Sequence, residues 1–346
     1  MQLVDSEILR FLKEYDGDVI RIMEVCGTHT AEISRTGIRK MLSPKIKLIS
    51  GPGCPVCVTV TAYIDACIEI AKRENTTLVS FGDMLRVPGS HGSLRDAQAE
   101  GASVKMVYSP LDTLKYAKEH PETMYVFAAV GFETTTPVYA LLMEQILAQQ
   151  ITNIKLLTSL KVMPPVIDWV CANQGNVDGF LAPGHVSVIT GSRIFAPLAE
   201  KFHLPFVVSG FEGEELLSSI YALIKLRGQG TVMNLYPSVV SEEGNTLAQA
   251  QVEKYFTPGD ATWRGMGSIP DSGMYLRETY QKYDAGSLNL IEDHVLNRAC
   301  RCAEVLTGKI TSEECPLFGT ACTTEHPQGA CMVSMEGACF NHLTAR

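Results

Sequence analysis

The sequence predicts an α/β protein with two similar parallel-sheet α/β domains facing a central cleft, followed by a cysteine-rich C-terminal domain. Three observations point there. Short β-branched runs alternate with helix-like stretches through the first 235 residues, the pattern of parallel βαβ units. The run from 119 to 235 repeats the plan of residues 1–118. From 236 onward the alternation stops, and Cys300, Cys302, Cys315, Cys322, Cys331 and Cys339 crowd the end of the chain.

In the first domain, residues 1–118, an acidic helix-like start leads to strand candidates at 19–25, 46–50, 77–81 and 103–108. Between the second and third lies a helix-like stretch at 58–73, in which Val60, Ile64, Cys67, Ile68 and Ala71 recur at helical spacing, so Cys67 reads as core. In the second domain, residues 119–235, the strands are expected at 124–130, 154–160, 177–181 and 205–209. The run at 46–49 echoes the one at 154–157, which suggests an internal duplication. In the third domain, residues 236–346, 241–244 and 258–260 read as loops and 263–270 is glycine-rich.

Composition narrows the function. The chain has 346 residues, 46% of them hydrophobic and 19% charged, which is ordinary globular usage. A net charge of −9 with no basic run argues against nucleic acid as a partner. The acidic start lacks a signal-peptide pattern, and the longest apolar stretch, at 124–132, is too short to span a bilayer, so a cytoplasmic protein with no membrane partner is expected. Eleven cysteines are then expected to be reduced thiols, metal ligands or redox centres rather than a disulfide framework.

In open parallel sheets, ligands bind beyond the carboxyl ends of the strands. Cys26-Gly27-Thr28-His29-Thr30 follows the first expected strand. Gly51-Pro52-Gly53-Cys54-Pro55-Val56-Cys57 follows the second, and Gly82-Asp83 the third. Gly131-Phe132-Glu133-Thr134-Thr135-Thr136 and Pro183-Gly184-His185 follow strands of the second domain. A thiol at a helix start gains from the unpaired amides and the positive dipole end, which favour thiolate. Cys54 and Cys57 therefore suit a redox pair or a metal clamp. His29 suits a metal ligand, a thiolate partner or a scaffold group. The threonines before Pro137 read as a helix cap, and Cys171 as core. The tail lacks paired C-x-x-C knuckles, which favours an iron–sulfur cluster over zinc. Cys300 and Cys302, neighbours but one on a helix, project to different faces.

Taken together with Val186-Ser187 after His185 and with Gly329-Ala330-Cys331-Met332-Val333-Ser334, these motifs resemble the HypD family of hydrogenase maturation factors along essentially the whole chain. Val60 and Thr324 stand where the family pattern has proline. The resemblance implies a scaffold on which the Fe(CN)2CO unit of [NiFe]-hydrogenase is assembled, with HypC as a bound partner, HypE delivering cyanide and the hydrogenase large subunit served indirectly. It also implies a [4Fe-4S] cluster in the third domain. Cys26 becomes the ligand of the nascent iron, and Cys54 and Cys57 a redox pair or further iron ligands. His29, Asp83, Glu133 and His185 become supporting groups of the cleft. Cys315, Cys322, Cys331 and Cys339 are the expected cluster ligands, with Cys302 an alternative ligand or adjacent thiol. The other reading of the same thiols is a ferredoxin-linked thiol/disulfide oxidoreductase.

Overall fold

Eight of the expected strands form within about two residues of their places, because each is an apolar, β-branched run bounded by turn residues. They are β1 Ile20–Glu24, β2 Ile46–Ser50, β3 Thr76–Ser80, β4 Val104–Met106, β5 Met124–Gly131, β6 Ile154–Lys161, β7 Gly179–Pro183 and β8 Phe206–Ser209. Three more complete the set: β9 Val232–Asn234, β10 Phe256–Trp263 and β11 Gly267–Leu276. The computed structural model describes residues 6–173, 175, 177–294 and 297–345. The helical start begins at Ser6, and its expected beginning at residues 1–5 lies outside the described residues.

The strands assemble into two sheets. The first has the order β2-β1-β7-β8-β9 and is parallel throughout. The second has the order β10-β11-β6-β5-β3-β4, parallel from β6 to β4, with the β10–β11 hairpin added antiparallel on the β6 side. Among the described residues no helix is long and apolar enough to cross a membrane.

The two sheets do not follow the expected divisions at 118 and 235. The first takes β1 and β2 from the beginning of the chain and β7 to β9 from much later, while the second takes β3 to β6 between them and the β10–β11 hairpin after them. The two echoing runs also occupy unlike places: β2 is an edge strand with residues 47–50 partly exposed, whereas β6 is an interior strand. The echo is thus a likeness of strand composition, not of position. The region after 236 holds the cysteine-rich tail, as expected, and packs on both sheets. Its glycine-rich stretch folds as the β10–β11 hairpin, and the buried tail thiols share one apolar cluster with Phe180 and Val208 of the first sheet and Val126 and Leu157 of the second.

This interleaving creates a switch point in each sheet. From β1 the chain passes outward to β2, and the strand on the other side of β1 is β7; likewise β4 and β5 flank β3. The crevices where strand order reverses lie at the carboxyl ends of β1 and β7, and of β3 and β5. Cys26, the Pro183-Gly184-His185 turn, Asp83 and Glu133 follow those four strand ends, the positions at which open α/β sheets bind their ligands.

Candidate functional site

Cys26 lies two residues beyond β1, at the N-cap position of the helix Gly27–Thr36 but with no side-chain cap bond. The N–H of Gly27 donates to the carbonyl of Gly53 at 2.9 Å, and a Cβ on Gly53 would lie 2.4 Å from the backbone nitrogen of Cys26. Only glycine permits so close an approach, and it sets the Gly51-to-Cys57 loop against the thiol. The structure joins Cys54 and Cys57 in a disulfide across the first turn of the helix Pro55–Val58, with Pro55 at its start. Both cysteines are buried. Cys57 Sγ lies 3.8 Å from the carbonyl oxygen of Ala330, so the tail loop that carries Cys331 rests on the pair.

Electrostatics at Cys26 are dominated by burial. Burial pushes its thiol up to about 12, and the nearby Glu336 adds to that, outweighing the Thr28 and His29 amides at the helix start. Glu336 itself is raised to about 6 by burial and by Asp83. A Cβ on Gly27 would meet Glu336 Cβ at 2.3 Å, and Ser334 Oγ donates to Asp83 Oδ2 at 3.2 Å. Tail residues therefore close over the Cys26 turn, and Asp83 is an exposed acceptor for them.

Behind the thiol, the carboxylate of Glu24 is 1% exposed. It accepts from Thr30 Oγ1 at 2.6 Å and Ser50 Oγ at 2.7 Å and faces Arg39 at 3.3 Å. One side chain thus ties together the last residues of β1 and β2 and the helix after Cys26. His29 is fully buried, with its Nε2 3.0 Å from the Gly210 carbonyl oxygen. Burial lowers its imidazole to about 4, so it is neutral near pH 7 and serves as a hydrogen-bond donor, not a cation beside the thiol. His29 and His185 both lie against the Phe211 ring, at centroid distances of 4.9 and 3.9 Å. Phe211 was not foreseen, since a lone aromatic after a strand carries no motif.

Glu133 does not join this group. Its Oε1 accepts from the Met163 N–H at 2.7 Å, its carboxyl is raised to about 7 by burial, and it lines a separate cavity. The threonines near it do not cap the helix Thr136–Ala148 as expected: Thr135, at the cap position, makes no side-chain cap bond, and Thr136 Oγ1 donates back to the Phe132 carbonyl. Cys67 is core, as its helical spacing predicts, whereas Cys171 is only partly buried against the apolar cluster.

The tail thiols gather beneath the disulfide. Cys331 and Cys339 sulfurs are 3.2 Å apart. The neighbouring Cys331 and Arg264 pull Cys302 below the ordinary thiol range, while Cys331 is pushed up by Cys302, Cys339 and burial. Cys300 is raised to about 12 by burial and by the neighbouring Cys302, Cys315 and Cys322; Cys322 in turn feels Cys339 and Cys315. Among the described residues no group of three His, Cys, Asp or Glu side chains converges on one metal ion. Arg264, also missed from sequence, is 4% exposed; its Nε and Nη2 donate to the Thr59 carbonyl and its Nη1 lies 3.4 Å from Asp293.

Residues 3–346 match the HypD family, described as the hydrogenase formation hypA family. The chain is 42% identical over 332 residues to the hydrogenase maturation factor HypD of Escherichia coli K12, covering 92% of this chain and 87% of that protein. It is 41% identical over 340 residues to HypD2 of Bradyrhizobium diazoefficiens, covering 94% and 89%, and 40% identical over 333 residues to HypD of Rhodobacter capsulatus, covering 92% and 88%. The chain belongs to the HypD family of hydrogenase maturation factors.

Proposed function

We propose that the chain is the scaffold on which the iron unit of a [NiFe]-hydrogenase, Fe(CN)2CO, is assembled, with Cys26 as the ligand that this chain contributes. The observation that carries the reading is the contact of the two glycine-rich motif loops, which sets Cys26 beside the Cys54–Cys57 disulfide under a lid of tail residues. Thiolate is a soft donor suited to iron carrying cyanide and carbon monoxide. A single thiol from this chain leaves the cargo removable, and a HypC cysteine supplies a companion ligand. HypE delivers the cyanide.

Cargo binding at Cys26 displaces a proton that burial otherwise holds on the sulfur, so the iron itself must supply the charge that stabilises the thiolate. Cys54 and Cys57 act as a two-electron, two-proton switch: as a disulfide they offer no thiolate, and as a dithiol they offer two further ligands beside Cys26. The six thiols of the tail suit a [4Fe-4S] cluster by their chemistry, since it takes four thiolates. When bound, such a cluster supplies electrons one at a time. The expected quartet is Cys315, Cys322, Cys331 and Cys339. The contact between the Cys331 and Cys339 sulfurs, at 3.2 Å, supports that quartet. Iron and sulfide counts test it: Cys331→Ala should lose the cluster and Cys300→Ala keep it, and the opposite pattern overturns the assignment.

The thiol oxidoreductase reading uses the same sulfurs. Burial of both Cys54 and Cys57, 3% and 0% exposed, disfavours direct exchange with the disulfide of another protein. Turnover of oxidised thioredoxin by the anaerobic protein with reduced ferredoxin tests it; absence of turnover, with metal-bound cyanide and carbon monoxide detected on the protein co-expressed with HypC, supports the scaffold.

A further inference from the structure

Cys26 and the Cys54–Cys57 pair stand beyond two different strands, and sheet pairing holds those strands together only to their last residues. β1 and β2 run in register as far as Glu24 and Ser50. Past that pair both chains leave the sheet, one into the helix Gly27–Thr36 and the other into the Gly51-to-Cys57 loop. The backbone still crosses the gap at Gly51, whose N–H donates to the Glu24 carbonyl at 2.8 Å, and at Gly27, whose N–H donates to the Gly53 carbonyl. Neither bond fixes how the two turns are rotated about their strand ends.

The side chain of Glu24 adds what the backbone lacks, because its two oxygens divide between the two turns. Oε2 accepts from Thr30 Oγ1, and that hydroxyl also lies 3.3 Å from the Cys26 carbonyl oxygen, so this oxygen holds the start of the helix that follows the thiol. Oε1 accepts from Ser50 Oγ, one residue before the loop that carries Cys54 and Cys57. Arg39 braces the second side, with Nη2 facing Oε1 and Nη1 donating to the Leu48 carbonyl of β2 at 2.5 Å. Bonds to an ionised carboxylate buried away from water are among the stronger ones a fold can use to hold two segments in a set relation.

We infer that Glu24 is a positioning residue of the assembly site: its carboxylate fixes the Cys26 turn against the Cys54–Cys57 loop, so that thiols from two strand ends can serve one iron. It acts through Thr30 and Ser50 and is not itself a ligand. The inference rests on the reading of Cys26 as the iron ligand, and adds to it the group that sets that ligand's direction. A role in stability alone would cost folded protein and leave the geometry of the remaining folded molecules unchanged.

The test uses the full chain and compares Glu24→Ala and the nearly isosteric Thr30→Val with Ile146→Ala, a lesion in the fully buried core beside the second sheet that lowers stability through a cavity. The first readout needs no iron: alkylation of Cys26 by iodoacetamide under native conditions, followed by peptide mass spectrometry. Loss of the carboxylate or of the Thr30 hydroxyl lets the turn open more often, so both variants should speed modification of Cys26, Glu24→Ala by at least about tenfold. Ile146→Ala should not. The second readout is the infrared spectrum of the chain co-expressed with HypC. In Glu24→Ala the metal-bound cyanide and carbon monoxide bands should shift or split, whereas a loss of stability alone lowers only their intensity. The inference is overturned if Glu24→Ala leaves the alkylation rate unchanged, if Ile146→Ala raises it as much, or if the bands keep their positions and only weaken. Absence of bands from the unmodified chain would count against the scaffold reading, while the alkylation comparison still decides the role of Glu24.

Discussion

At the scale of single residues, the groups that matter most are buried ones whose charge is decided by the fold. His29 stays neutral because burial lowers it from the ordinary 6.5 to about 4. Between those values the unfolded chain binds more protons at this position than the native one, so the contribution of His29 is full above pH 6.5 and is lost as pH falls toward 4. Relative to His29→Gln, the unmodified protein should lose up to about 1.4 kcal/mol of stability per pH unit in that window, read from urea unfolding at pH 7, 5.5 and 4.5; parallel profiles would show that His29 is not held neutral. Glu24→Ala should cost about 3 kcal/mol, since it strands Arg39 and two hydroxyls, and the same denaturation assay reads it. Cys26 and His29 were legible in the sequence because they sit in a compact motif after a strand. Glu24 and Glu336 were not. Their meaning comes from partners scattered along the chain, such as Thr30, Arg39 and Ser50 for Glu24, which no local pattern encodes.

At the scale of elements, the β10–β11 hairpin carries most of what the sequence concealed. Pro258, Gly259 and Gly273 lower strand propensity, so the stretch reads as loop, yet β10 is an edge strand, where proline is tolerated. The hairpin tip braces the site: the Arg264 N–H donates to the Val58 carbonyl at 2.9 Å, and Gly265, at φ +74°, meets the helix Cys302–Leu306 so closely that a Cβ would lie 2.3 Å from Ala303 Cβ. Gly265→Ala should therefore destabilise by about 2 kcal/mol through backbone strain and overpacking. Thermal unfolding measures this, and an unchanged midpoint would show that the tip does not bear on the helix.

At the scale of the whole molecule, the fold class and the strand positions were readable, because periodicity and β-branching report local conformation. Which strands pair was not. The links from β2 to β3, from β6 to β7 and from β9 to β10 carry the chain from one sheet to the other, and nothing in their composition distinguishes them from links that stay within a sheet. Since residues of both sheets and the tail thiols share one apolar cluster, unfolding should be a single transition, with far-ultraviolet circular dichroism and tryptophan fluorescence coincident. A separate early transition on the fluorescence of Trp263, which is fully buried in the hairpin, would mean that the hairpin and tail fold apart from the sheets. The central claim, that this folded whole is a scaffold with Cys26 as its iron ligand, is tested most directly by infrared spectroscopy of the anaerobically purified chain co-expressed with HypC. Metal-bound cyanide and carbon monoxide bands that vanish in Cys26→Ala are the expected result. Bands that persist unchanged in that variant, or none in the unmodified protein with its partner bound and its cluster intact, would contradict it.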